Sequence, residues 1–216
     1  MIDKKNAPKD AMPKPMDERI SSDIKTIIFD LDGTLYDKSG LAARMVRRLC
    51  WCLPLVMAER WARRNMHYTR YASEEEYNDA FFHFMARGHW WSAGIAETWY
   101  NSVYMPAMVR LIHRHHKPRK EVMELVEEAK NRGLKLAIYS DYGYVEEKLE
   151  ALGIDPEPFE LLVAAPQLGA LKPSEPCARR VLEMLEADPA TTLFVGDRDD
   201  KDGASARAVG AKFLKV

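Results

Sequence analysis

The chain has 216 residues, of which 47% are apolar and 30% charged, as expected for one globular domain or one domain with an insertion. Its formal net charge of −1 gives no electrostatic reason to expect nucleic acid as a partner. The three cysteines, Cys50, Cys52 and Cys177, form neither a disulfide framework nor a zinc motif. We therefore expect a reducing, cytoplasmic location.

The N-terminal residues and the apolar runs carry no membrane signal. Residues 1–22 hold charges and three prolines without an apolar core, so we interpret them as a flexible tail and not as a signal peptide. The longest apolar run, residues 49–57, is shorter than the ~20 residues that a membrane helix requires. We expect no membrane partner, and either a monomer or a homodimer.

Strand and helix patterns alternate along most of the chain. Short apolar runs predict five buried strands at residues 26–30, 134–140, 160–165, 192–197 and 211–216. Apolar residues at helical spacing lie between Pro118 and Gly133, over 144–152 and over 174–187. This alternation predicts an α/β fold with a Rossmann-like three-layer core and a five-stranded parallel sheet.

Residues 38–117 interrupt this alternation, because they show helical patterns only. We predict an all-helical cap inserted into a core made of residues 23–37 and 118–216. The insert contains 12 Lys or Arg against 6 Asp or Glu, and every Trp and His of the chain. This composition fits an aromatic core with a basic surface, and it is also compatible with a basic lid over an anionic substrate. The residues of its first helix that we expect to meet an anion are Arg44, Arg47 and Arg48.

Two further signals in the insert concern helix ends. Ser73 followed by Glu76 fits a capping box that opens a helix. Pro54 and Pro106 lie within helical patterns, where we expect kinks or breaks.

Polar residues follow three of the predicted strands. Asp30 and Asp32 follow the first strand, Ser140 and Asp141 the second, and Asp197 the fourth. Because the carboxyl ends of parallel strands meet at one edge of a sheet, we expect these side chains to converge there. Clustered carboxylates repel one another unless a cation lies among them, and oxygen ligands without thiolate or imidazole favour a hard cation such as Mg²⁺.

Four short motifs occur in a set order along the chain. They are Asp30-Leu31-Asp32-Gly33-Thr34-Leu35, then Ser140, then Lys172-Pro173, then Gly196-Asp197 with Asp202. In this order they resemble the motifs of the haloacid dehalogenase-like hydrolase superfamily, in its phosphatase branch with a helical cap after the first strand. The resemblance covers about residues 24 to 216.

The resemblance implies a Mg²⁺-dependent phosphomonoester hydrolase acting on a small phosphorylated metabolite such as a sugar phosphate or a nucleotide. Asp30 is the implied nucleophile, which forms an aspartyl-phosphate, and Asp32 the implied general acid and then base. Mg²⁺ would be held by the Asp30 carboxylate, the Asp32 backbone carbonyl and Asp197. Asp202 would hold metal-bound water or orient Lys172, although it could instead cap the helix at residues 203–209.

The remaining implied roles concern the phosphoryl group. Gly33 and Ser140 would bind its oxygens, Lys172 would neutralise its charge, and Thr34 would hydrogen-bond an acid and hold the loop. Asp141 stands beside this group, where many members of the family carry Asn. A carboxylate beside an incoming phosphate is unfavourable unless it turns away or binds a polar group of the substrate, so the role of Asp141 as a substrate-binding residue is open.

Three alternatives accompany this interpretation. A phosphomutase of the same family would share every core residue. A haloacid dehalogenase is disfavoured by Asp32 and by Gly33-Thr34, since dehalogenases typically lack the second acid of the first motif. A non-catalytic protein that binds a phosphorylated ligand is the alternative from another class, and the intact acidic set argues against it.

Overall fold

A computed structural model describes residues 20–216 of the chain, and residues 1–19, most of the predicted tail, lie outside the described residues. Ile20 is buried, and its carbonyl oxygen accepts a hydrogen bond from Arg132 Nη1 at 3.2 Å. The packed core therefore begins before residue 23, where the sequence predicted its start. Within the described residues, no helix is long and apolar enough to cross a membrane.

The core of the protein is the predicted five-stranded parallel sheet. Its strands are β1 (Thr26–Phe29), β2 (Lys135–Ser140), β3 (Leu161–Ala164), β4 (Thr192–Gly196) and β5 (Lys212–Lys215). They run in the order β3-β2-β1-β4-β5, and all four pairings are parallel. Strand β1 is therefore central, which places the acids that follow it at the middle of the carboxyl edge.

Alternating side chains of β1 face two helical layers. Ile27 and Phe29 belong to one buried cluster and Ile28 to another, because successive side chains of a strand point to opposite faces. The first cluster includes α6 (Lys120–Asn131) and α7 (Val145–Leu152), and the second includes α8 (Glu175–Met184) and α9 (Ala204–Val209). The core is therefore a three-layer α/β structure, as predicted.

The chain between β1 and α6 is helical, as predicted. Its helices are α1 (Leu41–Arg48), α2 (Leu53–Met66), α3 (Glu74–Ala86), α4 (Ala93–Trp99) and α5 (Met105–His115). Pro54 lies in the first turn of α2, where a missing N–H removes no helical hydrogen bond, so it marks a helix start and not a kink. Pro106 lies just after a π-helical segment, Tyr100–Tyr104, that joins α4 to α5, so it lies at an irregularity of a continuous helix. Ser73 caps α3, since its Oγ accepts the Glu76 N–H at 3.2 Å.

Arg63 of α2 joins the helical insert to the core. Its Nε donates to Glu59 Oε1 at 2.5 Å, and its Nη1 donates to the Asp141 carbonyl oxygen at 3.1 Å. The guanidinium also stacks 3.7 Å from the ring centre of Tyr142. Because Glu59 is fully buried, this arginine balances a charge inside the insert while holding the loop after β2.

Candidate active site

Asp30 lies immediately beyond the central strand and is held from three sides. Its N–H donates to the Val195 carbonyl oxygen of β4 at 2.9 Å, which extends the sheet pairing to this residue. Its Oδ2 accepts from Thr34 Oγ1 at 2.8 Å and its Oδ1 from Lys172 Nζ at 2.7 Å. Burial raises the pKa of Asp30 to about 6, and the Lys172 ammonium opposes this rise by favouring the ionised carboxylate.

A tight turn brings the second acid next to the first. Leu31 is fully buried, and its carbonyl oxygen accepts the N–H groups of Thr34 and Leu35. Gly33 has φ +106°, and a Cβ atom there would lie 2.5 Å from Asp197 Oδ2. Only glycine suits both this backbone angle and this approach. The Asp197 N–H in turn donates to Thr34 Oγ1 at 3.1 Å, which links the loop to the end of β4.

The Asp32 carboxylate accepts hydrogen bonds from three different parts of the core. Tyr36 Oη donates to its Oδ1 at 2.6 Å, while Lys148 Nζ and Ser140 Oγ donate to its Oδ2 at 2.6 and 3.3 Å. Burial acts to raise the pKa of Asp32, but the Lys148 ammonium and these hydrogen bonds outweigh it and hold the pKa below its ordinary value. Asp32 therefore stands as a carboxylate, the form that can accept a proton from water.

Lys148 is one of the site residues that sequence reasoning missed, together with Lys38 and Lys201. It lies on α7 and its side chain has no exposed surface. Val145, Leu149 and Leu152 defined the apolar face of this helix, and Lys148 occupies the i+3 position of the same stripe. A lysine within a buried apolar stripe implies a buried anionic partner. The position of Lys148 in this stripe was therefore the sequence feature that could have identified it as a site residue.

Lys172 connects two acids beneath the site. Its Nζ donates to Asp30, to Asp202 Oδ1 at 2.6 Å and to the Tyr139 carbonyl oxygen at 3.0 Å, and its side chain is 2% exposed. Burial acts to lower the pKa of Lys172, but the flanking carboxylates outweigh burial and raise it. Asp202 Oδ2 accepts the Arg198 N–H, and no side-chain cap bond forms at α9, so Asp202 is placed against Lys172.

Asp141 lies at the same edge but its charge is compensated. Its Oδ1 accepts the Lys172 backbone N–H at 2.8 Å, and its Oδ2 forms an ion pair with Lys201 Nζ. Burial acts to raise the pKa of Asp141, but Lys172 and Lys201 hold it below its ordinary value. Lys201 thus explains how a carboxylate is accommodated beside a site that would receive an anion.

The acids at this edge form a suitable site for a hard cation. Carboxylate oxygens of Asp30, Asp197 and Asp202 lie within 4.8 Å of one another. Lys38 Nζ contacts Asp197 Oδ2 at 2.7 Å and the Asp32 carbonyl oxygen at 2.8 Å, so that carbonyl also faces the group. All these donors are oxygens, which suits Mg²⁺ better than zinc or copper.

Two neighbouring cavities open at the carboxyl edge of the sheet. The polar cavity, of about 270 Å³, is lined by Asp30, Asp32, Lys38, Asp141, Tyr142, Lys172, Asp197, Arg198, Lys201 and Asp202. The apolar cavity, of about 260 Å³, is lined by Asp32, Tyr36, Lys38, Leu41, Ala42, Met45, Arg60, Tyr104, Met108 and Tyr142. The cavities share Asp32, Lys38 and Tyr142, so Asp32 borders both.

The insert does not place its first-helix arginines at the site as expected. Arg47 and Arg48 are exposed, Arg44 Nη1 donates to the Ser39 carbonyl oxygen at 3.2 Å, and none of the three lines either cavity. Helix α1 turns Leu41, Ala42 and Met45 toward the apolar cavity instead. The cations that line this cavity are Lys38 and Arg60, and Arg60 belongs to α2. Helix α1 is amphipathic, so its apolar face points inward and its arginines point away from the cavity.

The fold and this arrangement of acids and lysines define an α/β protein with an acidic site at the carboxyl edge of its sheet. Residues 24–210 of the chain match the sequence model of the haloacid dehalogenase-like hydrolase family. The chain belongs to this family.

Individual relatives agree with that assignment. The chain is 27% identical over 195 residues to a phosphoglycolate phosphatase from Aquifex aeolicus (strain VF5), covering 86% of this chain and 81% of that protein. Among solved structures it resembles CbbY from Rhodobacter sphaeroides in complex with phosphate, with 20% identity, a TM-score of 0.61 and coverage of 88% and 84%. It also resembles the HAD-hydrolase YfnB from Bacillus subtilis bound to magnesium, with 17% identity, a TM-score of 0.61 and coverage of 89% and 88%. These two likenesses concern the fold, and the first relative supports a phosphatase.

Proposed function

We propose that the protein is a Mg²⁺-dependent phosphomonoester hydrolase that acts through an aspartyl-phosphate on a small phosphorylated metabolite. The observation that carries this proposal is the Asp30 carboxylate, which lies at the end of the central strand beside the polar cavity. Thr34 and Lys172 hold its two oxygens in place, so the nucleophile needs little reorganisation.

The proposed reaction uses the two acids in turn. An Asp30 oxygen attacks phosphorus, the bond to the ester oxygen breaks, and the departing alcohol takes a proton from Asp32. Water then attacks the phosphorus of the aspartyl-phosphate, the bond between phosphorus and the Asp30 oxygen breaks to release inorganic phosphate, and Asp32 receives the proton of the water. The first step requires Asp32 in its protonated form, and the second step requires its carboxylate. Lys148 and Tyr36 stabilise the carboxylate, so they favour the second step.

The other residues of the edge would bind charge. Asp30, the Asp32 carbonyl and Asp197 would hold Mg²⁺, which neutralises phosphoryl charge when bound, and Asp202 would position Lys172. Lys172, the Gly33 N–H and the Ser140 hydroxyl would bind phosphoryl oxygens. The Ser140 hydroxyl donates to Asp32, so it would exchange that bond for one to the substrate.

The helical insert of residues 38–117 would act as a cap that contacts the alcohol part of the substrate. The apolar cavity supports this, since it adjoins Asp32 and presents Met45, Met108 and Tyr104 from the insert. A leaving group with a flat or apolar face, as in a nucleotide or an aryl phosphate, matches that lining. The three free cysteines support a reducing, cytoplasmic location, with the enzyme acting as a monomer or a homodimer.

Hydrolysis of p-nitrophenyl phosphate with MgCl2 and with EDTA tests the proposal. We expect turnover with MgCl2, loss of turnover with EDTA, and a fall of at least about 1,000-fold in kcat for Asp30→Asn. Asp199→Asn is the matched control. This substitution also removes one negative charge, but Asp199 is an exposed acid that pairs with Arg207 and lines neither cavity. Near-normal turnover by folded Asp30→Asn would show that Asp30 is not the nucleophile.

A panel of phosphorylated metabolites, including 2-phosphoglycolate, separates the alternatives. Release of inorganic phosphate supports the hydrolase. Conversion of a sugar phosphate into its isomer without phosphate release would indicate a mutase. Binding without turnover by the folded protein, under every metal condition, would indicate a non-catalytic phospho-ligand-binding protein.

A further inference from the structure

Lys38 contacts two of the oxygens that are proposed to bind magnesium. Its Nζ lies 2.8 Å from the Asp32 carbonyl oxygen and 2.7 Å from Asp197 Oδ2. A Cβ atom placed on Gly33 would lie 2.6 Å from the same nitrogen, so the ammonium is packed into the turn between the two acids. The Lys38 ammonium therefore lies within hydrogen-bonding distance of both oxygens.

A magnesium ion bound to these two oxygens would compete with this ammonium. Mg²⁺ binds oxygen at about 2.1 Å in near-octahedral geometry, so an ion on the same two oxygens lies within about 5 Å of the ammonium nitrogen. Two cations at that separation repel, and both draw on the negative charge of the same two oxygens. We propose that Lys38 is a tethered cation that competes with Mg²⁺ for the Asp32 carbonyl and Asp197 and is displaced when the metal binds.

Exposure distinguishes Lys38 from the other lysines that pair with acids of the site. In the described part of the chain, the side chains of Lys148, Lys172 and Lys201 are 0%, 2% and 18% exposed, and that of Lys38 is 42% exposed. A buried ammonium that leaves its carboxylate loses both its partner and its access to water. Lys38 can leave at low cost, because water solvates its ammonium as soon as it moves.

The backbone of Lys38 is anchored, so displacement requires only rotation of the side chain. Its carbonyl oxygen accepts the Leu41 N–H at 3.1 Å, which starts α1. The preceding carbonyl oxygen, of Asp37, lies 2.6 Å from His116 Nδ1. Lys38 also lines both cavities, so its ammonium can turn from the metal ligands into either one while remaining near the phosphoryl position.

This inference rests on the proposed function in one respect, namely that Asp197 and the Asp32 carbonyl bind Mg²⁺. The physical consequence is a reduced affinity for the metal, since each binding event must displace a bonded cation. Removing the ammonium while keeping the length of the side chain, as in Lys38→Met, should therefore tighten metal binding.

Isothermal titration of the full-length protein with MgCl2, without substrate, measures that affinity directly. We expect the Kd of Lys38→Met for Mg²⁺ to be at least about tenfold lower than that of the wild type. Lys201→Met is the matched control, because it removes the same charge from the same cavity. Lys201 pairs with Asp141, which is not a proposed Mg²⁺ ligand. The Kd of this control variant should change by less than about threefold.

A second readout comes from thermal unfolding in EDTA and in MgCl2. Lys38→Met should gain more in Tm from MgCl2 than the wild type does, because tighter binding stabilises the folded state more. An unchanged or higher Kd for Lys38→Met, or equal tightening in both variants, would overturn the competition while leaving the phosphatase proposal intact. Absence of Mg²⁺ binding by all three proteins would overturn both the competition and the metal requirement of the proposed function.

Discussion

The buried pair between Lys148 and Asp32 allows a quantitative test of how the site is built. The Lys148 side chain is 0% exposed and its Nζ lies 2.6 Å from Asp32 Oδ2, whose side chain is 14% exposed. Replacing Lys148 by Met keeps the apolar stem but leaves the Asp32 carboxylate without its closest cation. Removing one partner of a buried pair costs about 3–5 kcal/mol.

The remaining contacts of Asp32 place the expected loss at the lower end of that range. Tyr36 and Ser140 still donate to its two oxygens, so the carboxylate stays hydrogen-bonded. We expect Lys148→Met to lower the free energy of unfolding by about 3 kcal/mol. In a chain of this length that corresponds to a Tm lower by about 6–12 °C.

A double-mutant cycle measured by urea unfolding isolates the pair. Asp32→Asn removes the charge that needs the ammonium, so the double variant Asp32→Asn/Lys148→Met should be about 2 kcal/mol more stable than Lys148→Met alone. Lys212→Met is the control, since Lys212 contacts Asp23 at the same 2.6 Å on the surface and should unfold as the wild type does. The reasoning would be refuted if the double variant lost the sum of the free energies of unfolding that the two single variants lose. It would also be refuted if Lys148→Met were as stable as the wild type.

Two further substitutions test the loop and the insert separately. Gly33→Ala should lower kcat/KM for p-nitrophenyl phosphate by at least about tenfold, because a Cβ atom strains the backbone at φ +106° and displaces the Asp197 carboxylate, which would lie 2.5 Å away. An unchanged kcat/KM would contradict this geometry. Ser73→Ala should lower the free energy of unfolding by about 1 kcal/mol in urea titrations, through loss of the bond from the Glu76 N–H, and leave kcat/KM unchanged.

The sequence predicted the parts of the site that lie next to each other along the chain. A buried run that ends at Asp30, with Gly33 and Thr34 after it, predicts a strand, a turn and a rim of acids. The structure has that strand, that turn and the expected hydrogen bond from Thr34 to an acid. The periodicity of the apolar residues and the spacing of the motif residues were sufficient here, because burial of one face of an element imposes such a pattern on the local sequence.

The strand order and the partners of the acids depended on tertiary packing. Lys148 reaches Asp32 across 116 positions, and Lys172 reaches Asp30 across 142. Lys38 is the first residue of the predicted insert, residues 38–117, and it contacts two proposed metal ligands. The arginines of α1 were expected at the site, and α1 turned them outward because its apolar face packs inward.

The amino-acid sequence by itself thus determined the α/β class, the helical insert and the set of acids at one sheet edge, since apolar periodicity and glycine geometry act locally. Only the tertiary structure decided which lysine neutralises which acid. Such pairs form between elements distant along the chain, and their stability comes from a shared burial that no local pattern records.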